Sequence, residues 1–139
     1  MAGMNEHERH CEELVADCRL RAVAELFAHT WDPVVLAALR AGPRRRRELR
    51  AAIGGLSDKV LTETLRRLCA RGLVGRHAFV QAPPRVEYAL TPLGCSLVNG
   101  PMRVLGEWIL EHGDALLKAQ EDQEAQEAQE NALPATSNI

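Results

Sequence analysis

A mainly α-helical fold with a small β element, α+β in class, is predicted by three observations on this 139-residue chain. Residues 42–71, GPRRRRELRAAIGGLSDKVLTETLRRLCAR, read as a short basic helix, a glycine turn and a longer amphipathic helix. Residues 73–90 read as two short strands around a proline turn. Helices with more apolar face than one small domain covers stand on both sides. Together these describe a winged helix-turn-helix with a two-stranded β wing and N- and C-terminal dimerisation helices.

Each element has its own signal. Residues 1–11 are polar and expected to be flexible, ahead of a domain over 12–118 whose helix-turn-helix and wing core spans 31–90. From 12 to 28, Leu14, Val15, Cys18, Leu20, Ala22, Val23, Leu26 and Phe27 recur at helical spacing without Gly or Pro, which predicts one first helix. Asp32-Pro33 then reads as an N-cap followed by proline at the first helical position, with Trp31 as a core anchor just before it. Gly42-Pro43 stops that helix. A short helix over 44–53 follows, and Gly54-Gly55 supplies the turn. Ser57 is the expected N-cap of the next helix, without a reciprocal capping box because the third residue on is Val60. Leu61, Leu65 and Leu68 give that helix its buried stripe, and Gly72 ends it.

Residues 73–82 and 86–90 are the expected strands, joined at Pro83-Pro84-Arg85. Thr91-Pro92 opens another helix, which Asn99-Gly100-Pro101 breaks. Val104, Leu105, Trp108, Ile109, Leu116 and Leu117 make a long apolar stripe in the last helix. The polar, partly repetitive tail over 119–139 is expected to extend it by a turn or two and then fray.

A near-neutral net charge conceals a strong segregation. Residues 31–105 hold 13 basic and 5 acidic residues, a local balance of +8, whereas 1–30 stand at −3 and 106–139 at −7. A basic centre between acidic ends suits a nucleic-acid-contacting module whose ends serve other partners. The chain shows no signal-peptide pattern and no long apolar run, so no membrane association is expected and the cytoplasm is the expected compartment. Cys11, Cys18, Cys69 and Cys95 form no C-x-x-C pair and have no histidine at finger spacing, so neither a metal site nor a disulfide framework is expected. His7, His10, His29, His77 and His112 are dispersed, and no phosphate loop or nucleophile motif occurs, so the chain reads as no enzyme and as needing no cofactor.

From about residue 18 to 112 the chain resembles the HxlR-type winged-helix transcription regulators of bacteria, relatives of the MarR-like fold. The residues carrying this are Trp31, then GPRRRRELRAAIGGLSDKVLTETLRRL, RGLVGR, the wing PPRVEYALTPLG, and Trp108. Two departures stand out. Ala28-His29-Thr30 replaces a Gly-Gly-Lys stretch, and Arg46 takes the place of a phenylalanine before the Glu-Leu of the third helix. The resemblance implies a homodimer on a near-palindromic double-stranded DNA operator, reading major grooves about 34 Å apart.

On that reading Ser57, Lys59, Thr62, Glu63 and Arg66 form the base-reading face. Arg44, Arg45, Arg47, Arg67, Arg76 and Arg85 are expected at phosphates or, for Arg85, in the minor groove. Leu14, Leu26, Leu105, Trp108 and Ile109 are the expected dimer interface. The spacing of Cys18 from Trp31 matches a thiol that some family members use to sense oxidants, electrophiles or quinones, with Cys11 as a candidate disulfide partner across the dimer. A packed, structural Cys18 is the alternative, because it lies on the apolar stripe. Two other functions fit the composition: a regulator switched by a small-molecule ligand in the dimer crevice, and a winged helix used only for protein interaction.

Overall fold

A computed structural model describes Gly3 and residues 5–134, leaving out the side chains of residues 11, 14, 15 and 16. The chain divides into two compact units, the first ending at Val98 and the second beginning at Asn99.

The first unit opens with two helices where the sequence suggested one: α1 (Glu6–Ala16) and α2 (Cys18–Leu26). The break is at Asp17, whose backbone is extended and whose carboxylate accepts the Arg19 N–H at 2.8 Å. Apolar spacing runs on across this point, so periodicity gives no warning; a side chain that competes for backbone N–H groups makes the break. The Arg19 guanidinium, 2.5 Å away, holds the Asp17 carboxyl below its usual range. Within the stretch expected to be flexible, residues 6–11 are helical.

Helix α3 (Trp31–Ala38) continues through a 3-10 turn (Leu39–Ala41) to Gly42, which takes the positive φ of 136° that ends it. Asp32 does not cap this helix. Thr30 occupies the N-cap position in helical conformation, and Asp32 lies in the first turn with no exposed surface. Helix α4 (Arg46–Ile53) begins two residues later than expected because Arg44 is in extended pairing: it exchanges both backbone hydrogen bonds with Tyr88, at 2.9 and 2.8 Å. Gly54 and Gly55 turn the chain with φ of 70° and 67°, a region costly to residues with a Cβ. Helix α5 (Asp58–Ala70) follows, with Ser57 Oγ accepting the Val60 N–H at 3.2 Å and Gly72 beyond its end at φ 74°.

Val35, Leu36 and Leu39 pack with Leu49 of α4 and Leu61, Leu65 and Leu68 of α5 to form the core. Leu26, expected at a dimer interface, belongs to this core instead at 4% exposure. The large apolar side chains of α2 and its C-cap left outside are Leu20, Val23 and Phe27, one stripe at helical spacing.

Strands β1 (Val74–Phe79) and β2 (Arg85–Leu90) pair antiparallel, from Val74 opposite Leu90 to Phe79 opposite Arg85. Thr91 Oγ1 then donates to the Gly72 carbonyl at 2.6 Å and accepts the Gly94 N–H at 3.1 Å, starting α6 (Pro92–Asn99). Gly94 is required there, since a Cβ would collide with the Leu73 carbonyl oxygen.

The second unit is α7 (Pro101–Ala132), which runs on well past the expected end near residue 119. Its polar part is built mostly of Gln, Glu and Ala, all good helix formers. Gln123 donates to Glu127 at 3.0 Å and Gln126 to Glu130 at 3.5 Å, one turn on. Local propensity therefore carries a helix that hydrophobic patterning does not mark. Among the described residues, no single helix is long and apolar enough to cross a membrane, and no group of His, Cys, Asp or Glu could hold a metal ion.

Candidate nucleic-acid interface

Helix α5 is the centre of the site. Leu61, Thr64, Leu65 and Leu68 turn inward, so the 100° step of a helix places Lys59, Thr62, Glu63 and Arg66 on the opposite side. Ser57, Lys59, Thr62 and Arg66 are exposed and Glu63 is half-buried. All five are thus presented from one side of a helix whose other side is locked into the core.

The structure sorts the arginines, which look alike in sequence, into two groups. Arg47 and Arg66 are exposed, with no ion pair or hydrogen bond among the described residues; Lys59 is the same. Arg76 on β1 is also exposed, and its charge lowers the Cys69 thiol slightly against the larger upward push of burial. These four cations are available to phosphate or base edges.

Other arginines are occupied. Arg67 was expected at a phosphate, yet its Nη2 lies 2.7 Å from the buried Asp32 carboxylate and 3.2 Å from Thr64 Oγ1. That hydrogen bond raises the Arg67 guanidinium above its ordinary value. Arg71 approaches the other Asp32 oxygen at 4.0 Å. Arg67 therefore ties α5 to α3 and is removed from the DNA-facing set. Burial of Asp32 forces this: an unpaired carboxylate in the core is far more costly than one paired guanidinium.

Arg85 pairs with Glu87 two residues along β2, and its guanidinium carbon lies 5.6 Å from the centre of the Phe79 ring. Both partners hold its head beside the wing, so the Arg85 fork starts from an engaged position. Arg45 is only loosely paired, with Nε 3.9 Å from Glu48. Glu48 Oε1 accepts the Arg45 backbone N–H at 3.2 Å, which steadies the start of α4. Arg44 contributes its backbone to the sheet and keeps a half-buried side chain.

Sequence reasoning missed two residues that position this site. One is Asp32, which looked like a cap; its partner lies 35 positions away, and no local pattern announces such a pair. The other is Arg50, exposed on α4 with Nη1 3.8 Å from Asp58. Cys18 is exposed as the first residue of α2, so it is not the packed thiol that its place in the apolar stripe suggested. The side chains of Leu14 and Cys11 lie outside the described residues.

A helix-turn-helix whose second helix offers a polar, cation-bearing outer face, followed by a hairpin bridged back to the preceding segment, defines the winged helix-turn-helix class of DNA-binding regulator. Residues 26–116 match the HxlR-like helix-turn-helix family. The HTH-type transcriptional regulator YtfH of Escherichia coli is 40% identical over 92 residues, which cover 66% of this chain and 72% of YtfH. The solved structure of YtfH from Salmonella typhimurium superposes with a TM-score of 0.61 at 36% identity, covering 73% of this chain and 89% of that one. The redox regulator HypR in its oxidised form gives a TM-score of 0.62 at 28% identity, covering 68% and 96%. The chain belongs to the HxlR-like helix-turn-helix family, whose members are transcriptional regulators and not enzymes.

Proposed function

We propose that this protein is a cytoplasmic homodimer that binds a near-palindromic operator through α5 and the wing. The observation that carries this reading is the division of α5. Its inner side is locked by leucines and the Asp32–Arg67 pair, while Ser57, Lys59, Thr62, Glu63 and Arg66 are left outside as a rigid reading surface. Arg47 and Arg76, with Arg44 and Arg45 beside them, supply the phosphate contacts that set register; Arg85 reaches DNA only by leaving Glu87. Two copies are needed because one recognition helix contacts too few base pairs for tight specific binding. Leu105, Trp108 and Ile109 of α7, each 42–51% exposed, supply an apolar face for the second copy, with Leu14 as a further expected contact.

A signal acts through Cys18 on this reading. Its exposure at the start of α2 makes it accessible to an oxidant or electrophile, and the relative HypR is itself a redox regulator.

Fluorescence anisotropy with duplexes from the region upstream of the protein's own coding sequence tests the first part. Affinity should fall steeply with salt and differ strongly between that DNA and a scrambled duplex. Binding that ignores sequence, or a flat salt dependence, defeats the regulator reading and favours a module for protein interaction. Diamide treatment of the wild type and Cys18→Ser tests the second part: operator affinity should change only in the wild type. Identical responses sink the thiol switch while leaving operator binding standing.

A further inference from the structure

Arg46 is the member of the 44–47 run whose guanidinium turns onto α5. Its Nε donates to Asp58 Oδ1 at 3.0 Å, and its Nη2 donates to the Asp58 backbone carbonyl at 2.6 Å and to Thr62 Oγ1. The Thr62 hydroxyl in turn donates to the same Asp58 carbonyl at 2.9 Å. A hydroxyl has one hydrogen and two lone pairs. Here the hydrogen is spent on the backbone and a lone pair is taken by Arg46. Thr62 nonetheless remains exposed, and the part of its side chain without a polar engagement is the methyl group.

The same fork quiets an awkward charge. Asp58 is 64% exposed in the first turn of α5, well placed for the helix dipole but repulsive to a nearby phosphate. Arg46 at 3.0 Å and Arg50 at 3.8 Å both stand against it. A phenylalanine at position 46 could make none of these bonds.

We propose that Arg46 is a positioning residue for base recognition: by holding the Thr62 hydroxyl inward, it makes Thr62 read the 5-methyl group of a thymine through its own methyl. This rests on the DNA-reading function above. The major groove shows that methyl only at thymine, so the contact discriminates without a hydrogen bond. Arg46 acts through Thr62 and does not itself touch the base. A phosphate contact by Arg46 is the rival role, and it has a different signature: its loss weakens every sequence about equally and lowers the salt slope by about 1.

The test uses the full chain and a pool of randomised duplexes, from which bound DNA is enriched and sequenced. Each thymine of the enriched site is then replaced by deoxyuridine, which removes only the 5-methyl. In the wild type, one thymine per half-site should lose about fourfold in affinity on this change, the worth of one buried methyl-sized group. Thr62→Ser should abolish that penalty at that position and leave the other positions unchanged. Arg46→Phe leaves the Thr62 hydroxyl held by the Asp58 carbonyl alone, with its lone pairs open to a donor on another base, so it should relax the preference for thymine there. Arg46→Lys, with a point donor in place of a fork, should relax it less; it also supplies the comparison if the phenylalanine variant does not fold.

An enriched site with no deoxyuridine-sensitive position overturns the proposal, as does unchanged discrimination in the Arg46 variants. Uniform weakening with a shallower salt slope assigns Arg46 to a phosphate and overturns it too. A pool with no enriched sequence fails the DNA-reading function itself, and this proposal with it.

Discussion

Helices α5 and α7 both carry leucines at helical spacing, yet they end in opposite situations. In α5, Leu61, Leu65 and Leu68 are at most 2% exposed. In the far longer α7 no residue is buried: Trp108 is 46% exposed, Leu116 49% and Leu117 58%. The apolar stripe of α5 is satisfied within one chain, and that of α7 is not. An exposed stripe of this kind is the face that the proposed function gives to a second copy. The contrast separates two tasks that the sequence writes in the same alphabet: holding a reading head rigid and, on the proposed function, offering a face for pairing.

The largest expected effect tests this contrast directly. Leu68→Ala should cost about 3 kcal/mol of stability, since it leaves a cavity among close-packed side chains. Leu117→Ala on α7 should change the stability of the dilute protein by less than about 0.5 kcal/mol. Urea denaturation at low protein concentration compares the two. Equal losses would erase the distinction between the helices.

Next in size is the polar pair behind α5. Arg67→Ala leaves the fully buried Asp32 carboxylate with Arg71 at 4.0 Å as its remaining counter-ion, and should cost about 2–3 kcal/mol, less than a wholly orphaned charge because Arg71 remains. Arg66→Ala, one residue earlier on the outer face, should leave stability within about 0.5 kcal/mol and weaken DNA binding. Adjacent arginines would then report opposite roles, stability for one and affinity for the other. If Arg67→Ala melts like the wild type and loses DNA affinity, Arg67 belongs with the phosphate contacts after all.

How much of this was legible in the chain depends on the range of the interaction. The glycine turn, the Ser57 cap, the leucine stripe of α5 and the wing were readable because each is fixed by residues within a few positions. The cap at Asp17 was local too, but it was hidden inside an uninterrupted apolar period. The Arg44–Tyr88 bridge was illegible, since one paired residue has no alternation to show. The roles of the arginines were the least readable. Arg66 and Arg67 differ only in which side of a helix they occupy, and the partner of Arg67 is on another helix. The exposed face of the site could therefore be read from sequence, whereas the charge pairs that brace it could not.

A smaller effect checks the local part of that reading. Ser57→Ala removes the hydroxyl that accepts the Val60 N–H and should lower stability by about 1 kcal/mol, with Ser57→Asp recovering most of the loss. Thermal melts of the two variants decide it; no recovery with Asp would mean that Ser57 matters for something other than the cap.

The mildest test compares thiols on the two kinds of helix and changes no residue. Cys18 begins the open helix α2 and is exposed, while Cys69 sits half-buried near the end of α5. Burial pushes the Cys69 thiol above its ordinary value, outweighing the opposite pull of Arg76. The thiolate is the form that reacts, so at neutral pH Cys69 is penalised both by access and by protonation. Its alkylation by iodoacetamide should stay slow until the pH rises past the usual thiol range, and urea should remove the lag. Cys18 should be labelled first in the folded protein. Peptide mass spectrometry after timed labelling from pH 6 to pH 9, with the range set by ordinary thiol titration, reads each site separately. Equal labelling of Cys18 and Cys69 in the folded protein would mean that the end of α5 opens to solvent. The closed reading head would then be no more closed than the helices that flank it.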